Sequence, residues 1–342
     1  MQQRSVTLAL QGGGSHGAFT WGVLDRLLED DRLDIEAISG ASAGAMNAVV
    51  LAHGYVKGGR EGARAALAAF WERVSIKAPF NMLPDDAASA TDAGINAGSP
   101  LTYKMLLSLT RLLSPYQFNP FDINPLRDIL EEQIDFERLR ADGQIKLFIS
   151  ATQVNSGMLK IFRNKQLTVD ALLASACLPA LHRAVEIDGE AYWDGGFTAN
   201  PPIFPLLHQC QARDIVVVLL NGNPHAKVPT TADEILSRVT EIGFNSALFT
   251  ELQGVALAKR EAQHGWFAFG RLERRLRNLN VHMVESREFM SQLGGLSKMN
   301  TQAPFINALR DQGRIRAEAW LHQNFKHLGV RSSFNLARYL GR

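Results

Sequence analysis

Hydrophobic positions in this chain follow two different periods, and the period switches from one segment to the next. VTLAL at 6–10 is a continuous apolar run with β-branched members, the pattern of a strand covered on both faces. In GAFTWGVLDRLLED, residues 17–30, the apolar positions 19, 23, 24, 27 and 28 recur at helical spacing. IEAIS at 35–39 predicts a second strand and AGAMNAVVLAH at 43–53 a helix buried on most sides. Residues 62–73 predict a third, amphipathic helix. A βαβα opening of this kind predicts a parallel sheet with helices on both faces.

The pattern then breaks. Residues 78–122 are rich in Pro, Asn, Ser and Asp around one helical stretch, YKMLLSLTRLL at 103–113, and read as a lid-like insertion. Strand signals resume in IKLFISATQV (145–154) and MLKIFRN (158–164), a hairpin turning at Asn155-Ser156-Gly157. A helix is expected at about 168–176, a short strand ending in AYW at 191–193, and a strongly buried strand in DIVVVLL at 214–220. From about residue 231 helical spacing dominates, interrupted by NVHMVE at 280–285, an edge-strand candidate. The expected fold class is α/β: a three-layer α/β/α arrangement with a mainly parallel central sheet, plus a mostly helical C-terminal extension.

Composition narrows this picture. With 342 residues, 46% hydrophobic and 20% charged, the chain can bury a large core. A net charge of +2 argues against general nucleic-acid binding. Two cysteines, Cys177 and Cys210, offer neither a disulfide framework nor metal spacing, so no metal and no cofactor are expected and a cytoplasmic setting fits. The apolar run at the start is only five residues long, a poor leader. Residues 37–56 carry no charge, but SGASAG inside them reads as a turn, so strand, turn and helix are expected rather than a membrane span.

Three short motifs carry chemistry. GASAG, Gly40 to Gly44, is G-x-S-x-G between a predicted strand and a predicted helix. There Ser42 would sit on a strained turn, with Gly40 and Gly44 keeping nearby space free of Cβ atoms and a helix N-terminus favouring developing negative charge. The alternative is an ordinary small-residue turn. A serine nucleophile needs a base, and none of the nine histidines lies in an obvious motif. The other candidate is Asp194 in YWDGGFTANPP, followed by Gly195 and Gly196; read alone, it is an acid in a β-turn. Finally, Gly12, Gly14 and Gly17 fit G-x-G-x-x-G, the fingerprint of a dinucleotide-binding turn. That reading needs an acid at the end of the second strand. Asp34 and Glu36 lie at its beginning, and its end is the serine motif. The glycine run therefore reads better as a source of backbone N–H groups for an oxyanion.

GGGSHG, GASAG and DGG, in this order, resemble the patatin-like phospholipases, over roughly residues 5–207. ASACLPALHRAVEIDGEAYWDGG also looks like the family's approach to its catalytic acid. The resemblance implies a lipid acyl hydrolase with a Ser–Asp dyad: Ser42 as nucleophile, Asp194 as general base, and Gly12, Gly13 and Gly14 as the oxyanion loop. It implies a lipid or acyl-ester substrate and leaves peripheral contact with a membrane or lipid surface open. The family commonly has Arg or Lys where His16 stands here. Residues 208–342 would hold the last core strand and the helical extension, in which SKMN at 297–300 resembles the tail of a bacterial subgroup and is read as packing. RLERRLRNL at 271–279 reads as a solvated helix face, with attraction to an anionic membrane as the alternative. The rivals are an α/β-hydrolase triad using His208, His225, His264 or His282, a dinucleotide-binding protein, and a lipid-binding scaffold without turnover.

Overall fold

A computed structural model describes residues 3–77, 112–220, 228–264, 270–293 and 295–336. Most of the helix expected at 103–113 lies outside the described residues. The chain begins with β1 (Arg4–Leu10), α1 (Gly17–Leu28), β2 (Leu33–Gly40) and α2 (Ala43–Lys77). Helix α2 breaks at Gly58 and Gly59, so the two helices expected at 43–53 and 62–73 are its two arms. Three short helices follow: α3 (Pro115–Phe118), α4 (Pro125–Gln133) and α5 (Phe136–Ala141). Next come β3 (Lys146–Gln153), β4 (Leu159–Arg163), α6 (Val169–Ser175), β5 (Val185–Ile187) and β6 (Glu190–Asp194). The remainder is α7 (Phe204–Gln209), β7 (Asp214–Leu219), α8 (Ala232–His264), α9 (Arg271–Asn278), β8 (Asn280–Glu285), α10 (Arg287–Met290) and α11 (Ala303–Asn324).

The strands form one sheet in the order β5-β6-β3-β2-β1-β7-β8, with β4 also paired to β3. The run β3-β2-β1-β7-β8 is parallel; β4, β5 and β6 add antiparallel pairs. The strand expected at 280–285 is the edge strand β8. The short strand expected to end at 191–193 is β6, and the hairpin it forms with β5 was not among the expected elements. Its two-residue turn is Asp188-Gly189, both at positive φ (53° and 79°), the Asp-Gly signature of a tight hairpin.

Alternation along the central strands divides the core between two helical layers. Val6, Leu8 and Leu10 of β1 and Val216 and Val218 of β7 pack with α1, α2 and α11. Ala9 of β1 and Ile215, Val217 and Leu219 of β7 face α7, α8 and α9 instead. Successive residues on a strand point to opposite faces, so continuous apolar runs are what a doubly covered sheet requires.

Helix α11 lies directly on α1, the helix that follows the glycine motif. The approach is close enough that a Cβ at Gly22 would collide with the Arg310 carbonyl, and one at Gly313 with the Phe19 carbonyl. Overpacking of this kind costs about 1–3 kcal/mol or more. Gly22→Val is therefore expected to lower the urea midpoint by an amount corresponding to about 3 kcal/mol; an unchanged midpoint would contradict this packing.

Candidate active site

Strand register brings the three motifs to one place. Leu10 pairs with Gly40, so the glycine loop after β1 and the serine turn after β2 leave the sheet side by side. Strand β2 pairs with β3 as far as Gly40 opposite Ile149. Two residues further along β3, β6 takes over with Asp194 opposite Ala151. Asp194 thus occupies the space that β2 vacates when it turns at Ser42. All of this lies at the carboxyl edge of the parallel strands, where open α/β sheets place their ligands.

Ser42 is half-buried and has φ 51° in the left-handed region, an uncommon conformation for a residue with a side chain. The Gly44 N–H donates to the Ala41 carbonyl at 2.8 Å, closing the turn, and the Ser42 N–H donates to Ser175 Oγ at 3.0 Å. A Cβ at Gly44 would collide with the Leu10 carbonyl, so the turn packs directly on the end of β1. Helix α2 starts at Ala43, which aims its N-terminal dipole at Ser42.

Asp194 is fully buried. Its N–H donates to the Cys177 carbonyl at 2.8 Å, and its own carbonyl accepts from Thr152 Oγ1 at 2.8 Å. Side-chain Oδ1 accepts the Gly196 N–H at 2.7 Å, whereas Oδ2 makes no full hydrogen bond. Burial pushes the carboxyl up to about 7, against the opposing pull of the Gly196 N–H and the nearby Ser42 hydroxyl. Desolvation dominates because it penalises the charged form and no cation among the described residues offsets it.

The glycine loop is tied to the stretch after Asp194. The Gly12 N–H donates to Asn200 Oδ1 at 2.7 Å and is already used. The N–H groups of Gly13 and Gly14 have no acceptor among the described residues. Gly12 is also where the loop meets the serine: a Cβ there would lie 2.8 Å from Ser42 Cβ. Gly17 opens α1 against Ala43, and Gly195 packs on Ser150. Asn200 in turn donates to the Phe244 carbonyl at 3.2 Å, and Gln11 donates to Asn245 Oδ1 at 2.7 Å. Helix α8 therefore backs both the glycine loop and the Asp194 turn. Asn200, Ser175 and Asn245 were not among the expected site residues. Asn200 stands in the quoted YWDGGFTANPP, but nothing local marks its long-range partner.

His16 is buried, and its Nε2 lies 2.8 Å from Ser297 Oγ. Burial, aided by Lys298, pushes its pKa down to about 3, so the ring is neutral. A Cβ at Gly14 would collide with the Lys298 carbonyl, and burial lowers the Lys298 ammonium as well. The SKMN segment thus packs on the glycine loop itself.

The histidines of the rival triad lie elsewhere. His282 Nε2 bonds Asp214 Oδ1 at 2.9 Å and its Nδ1 bonds Ser333 Oγ at 2.8 Å, at the amino end of β7. His208 ends α7 and is exposed. His225 and the side chain of His264 lie outside the described residues. Among the described residues no histidine bonds Ser42 or Asp194, no cluster of three His, Cys, Asp or Glu could hold a metal, and no helix is long and apolar enough to cross a membrane.

A family model described as patatin-like phospholipase matches residues 8–207. No curated protein matches the chain. Among solved structures, the crystal structure of VipD from Legionella pneumophila aligns over 99% of this chain and 79% of its own, at 14% identity and a TM-score of 0.36.

The raised pKa of Asp194 has a consequence for stability. The folded state keeps this proton between about pH 4 and 7, where the unfolded chain has lost it, so stability falls as pH rises through that window. A rise from 3.8 to about 7 corresponds to roughly 4 kcal/mol against the charged form. Asp194→Asn keeps the acceptor for Gly196 and should be as stable as the parent near pH 3.5, but more stable by a few kcal/mol at pH 8. Chemical denaturation at the two pH values measures this; equal midpoints at pH 8 would contradict it.

Proposed function

Because the chain belongs to the patatin-like phospholipase family, we propose that it cleaves carboxylic esters of lipids through a Ser42–Asp194 dyad. Family membership makes it a lipid hydrolase in general terms. The observation that carries the finer reading is the buried carboxylate beside Ser42, with Oδ2 lacking a full partner and a pKa near 7. A base poised near the working pH combines proton affinity with a populated basic form.

In this reading the Ser42 hydroxyl attacks the ester carbonyl carbon while its proton passes to Asp194 Oδ2. The tetrahedral oxyanion is held by the N–H groups of Gly13 and Gly14, with the N-terminus of α2 adding its dipole. Gly12 serves the loop through Asn200 rather than as a donor. Collapse of the intermediate breaks the ester C–O bond, and the alkoxide leaves with the proton from Asp194. Water then attacks the acyl-serine, giving its proton to Asp194, and the acid product departs as Ser42 Oγ is reprotonated. His16, neutral and held by Ser297, supports the loop without supplying charge. The half-exposed Phe197, 4.7 Å from Phe244 between ring centroids, gives the Asp194 turn an apolar flank suited to an acyl chain.

Ser42→Ala and Asp194→Asn are each expected to lower turnover of a nitrophenyl ester and of a phospholipid by about a thousandfold or more, with unchanged circular dichroism. Activity of either variant within tenfold of the parent would overturn the dyad. Activity on the nitrophenyl ester alone would retain the dyad and reject phospholipid as substrate.

A further inference from the structure

On the edge of the sheet opposite Ser42, a cavity of about 550 Å³ opens between the end of α7, the 210–213 loop before β7, and α9. Arg213, Arg271, Arg274 and Arg275 all line it. On α9, positions 271, 274 and 275 share one face, so three guanidinium groups crowd together at helical spacing. The chain as a whole is nearly neutral at +2, which makes this local excess of charge unusual.

None of the four arginines forms an ion pair among the described residues. Arg275 is spent on the wall: Nη1 donates to the Gln211 carbonyl at 2.7 Å, Nε to Leu207 at 3.2 Å and Nη2 to Leu206 at 3.3 Å. It thereby caps the carbonyl end of α7. Glu273 of α9 folds its carboxylate back against Gly270 and does not line the cavity, and the acids on the opposite wall are committed. Glu36 accepts Lys146 Nζ and the N–H groups of Gln211 and Ala212. Asp214 accepts His282, Asn280 and the Gly329 N–H. Among the described residues no carboxylate pairs with Arg213, Arg271 or Arg274, which face the cavity. Like charges at this spacing destabilise the helix that carries them, by tenths of a kcal/mol per pair. A bound anion would remove that repulsion.

We propose that this cavity is a binding site for a ligand bearing phosphoryl groups, separate from the hydrolytic centre. Guanidinium forks match phosphate oxygens in geometry as well as charge. The volume suits a molecule larger than a single phosphate, within the usual range of ligand pockets. The same phosphoryl chemistry is carried by soluble condensed phosphates and by the headgroup of an anionic lipid.

Calorimetric titration of the full chain with inorganic pyrophosphate, and sedimentation with phosphatidic acid vesicles, separate the two sources. Binding of pyrophosphate indicates a soluble ligand; binding of vesicles alone indicates a lipid headgroup. In either case the paired change Arg271→Gln with Arg274→Gln should weaken binding by about tenfold or more, and Arg213→Gln by a smaller factor. These side chains are exposed, so the fold and nitrophenyl ester turnover should be retained, and retention of both shows that the loss is local. Absence of binding to both probes, or binding of equal strength in the paired variant, would overturn the proposal.

Discussion

A single carboxylate held away from water organises this protein. Asp194 is fully buried with no cation beside it among the described residues, and its charge is destabilised accordingly. Such a group persists only where the surrounding structure fixes it. Here the fixing is done by strand pairing. Strand β3 runs on past Ile149, its last residue paired to β2, and β6 pairs with that further stretch, which delivers Asp194 to the point where β2 turns away. The Gly196 N–H secures one carboxylate oxygen, Oδ1, and leaves Oδ2 without a hydrogen bond. In the proposed dyad, destabilisation of the anion and usefulness as a base are the same property seen from two sides.

The second constraint is close backbone contact. The glycine loop, the serine turn and the start of α1 approach so nearly that Gly12, Gly44 and Gly17 have no room for a Cβ. The C-terminal region then locks the loop from outside. Ser297 holds His16, the Lys298 carbonyl rests on Gly14, Asn245 holds Gln11, and α11 packs on α1. Asn245, Ser297, Lys298 and α11, all beyond the span matched by the family model, are thus packed into the surroundings of the glycine loop. Reading SKMN as packing was right in kind, but the surface it packs on is the glycine loop.

Much of the fold was legible because buried parallel strands and amphipathic helices have distinct periods. The strands at 6–10, 35–39, 145–154 and 214–220 and the edge strand at 280–285 all lie in one sheet. Strand β6 was expected near 191–193, but its hairpin partner β5 was missed because three residues are too few to show a period, although Asp188-Gly189 marks the turn. At the site, the three motifs could be read as short patterns, and the register of the sheet places them together. What could not be read was anything depending on distant partners. Asn200 on Gly12, Ser175 on Ser42 and Ser297 on His16 are side-chain contacts between segments far apart in the chain. The free cluster at Arg213, Arg271 and Arg274 was equally hidden. A basic helix shows its charge in sequence but not whether carboxylates answer it.

The pH dependence of covalent capture at the serine tests the account most directly. A fluorophosphonate reacts with an activated hydroxyl, and peptide mapping identifies the residue modified. If Asp194 is the base, a single adduct forms on Ser42, and its rate of formation rises with pH through about 7 and then levels off. An adduct on another residue, or a rate on Ser42 that is flat between pH 5 and 9, would contradict the account.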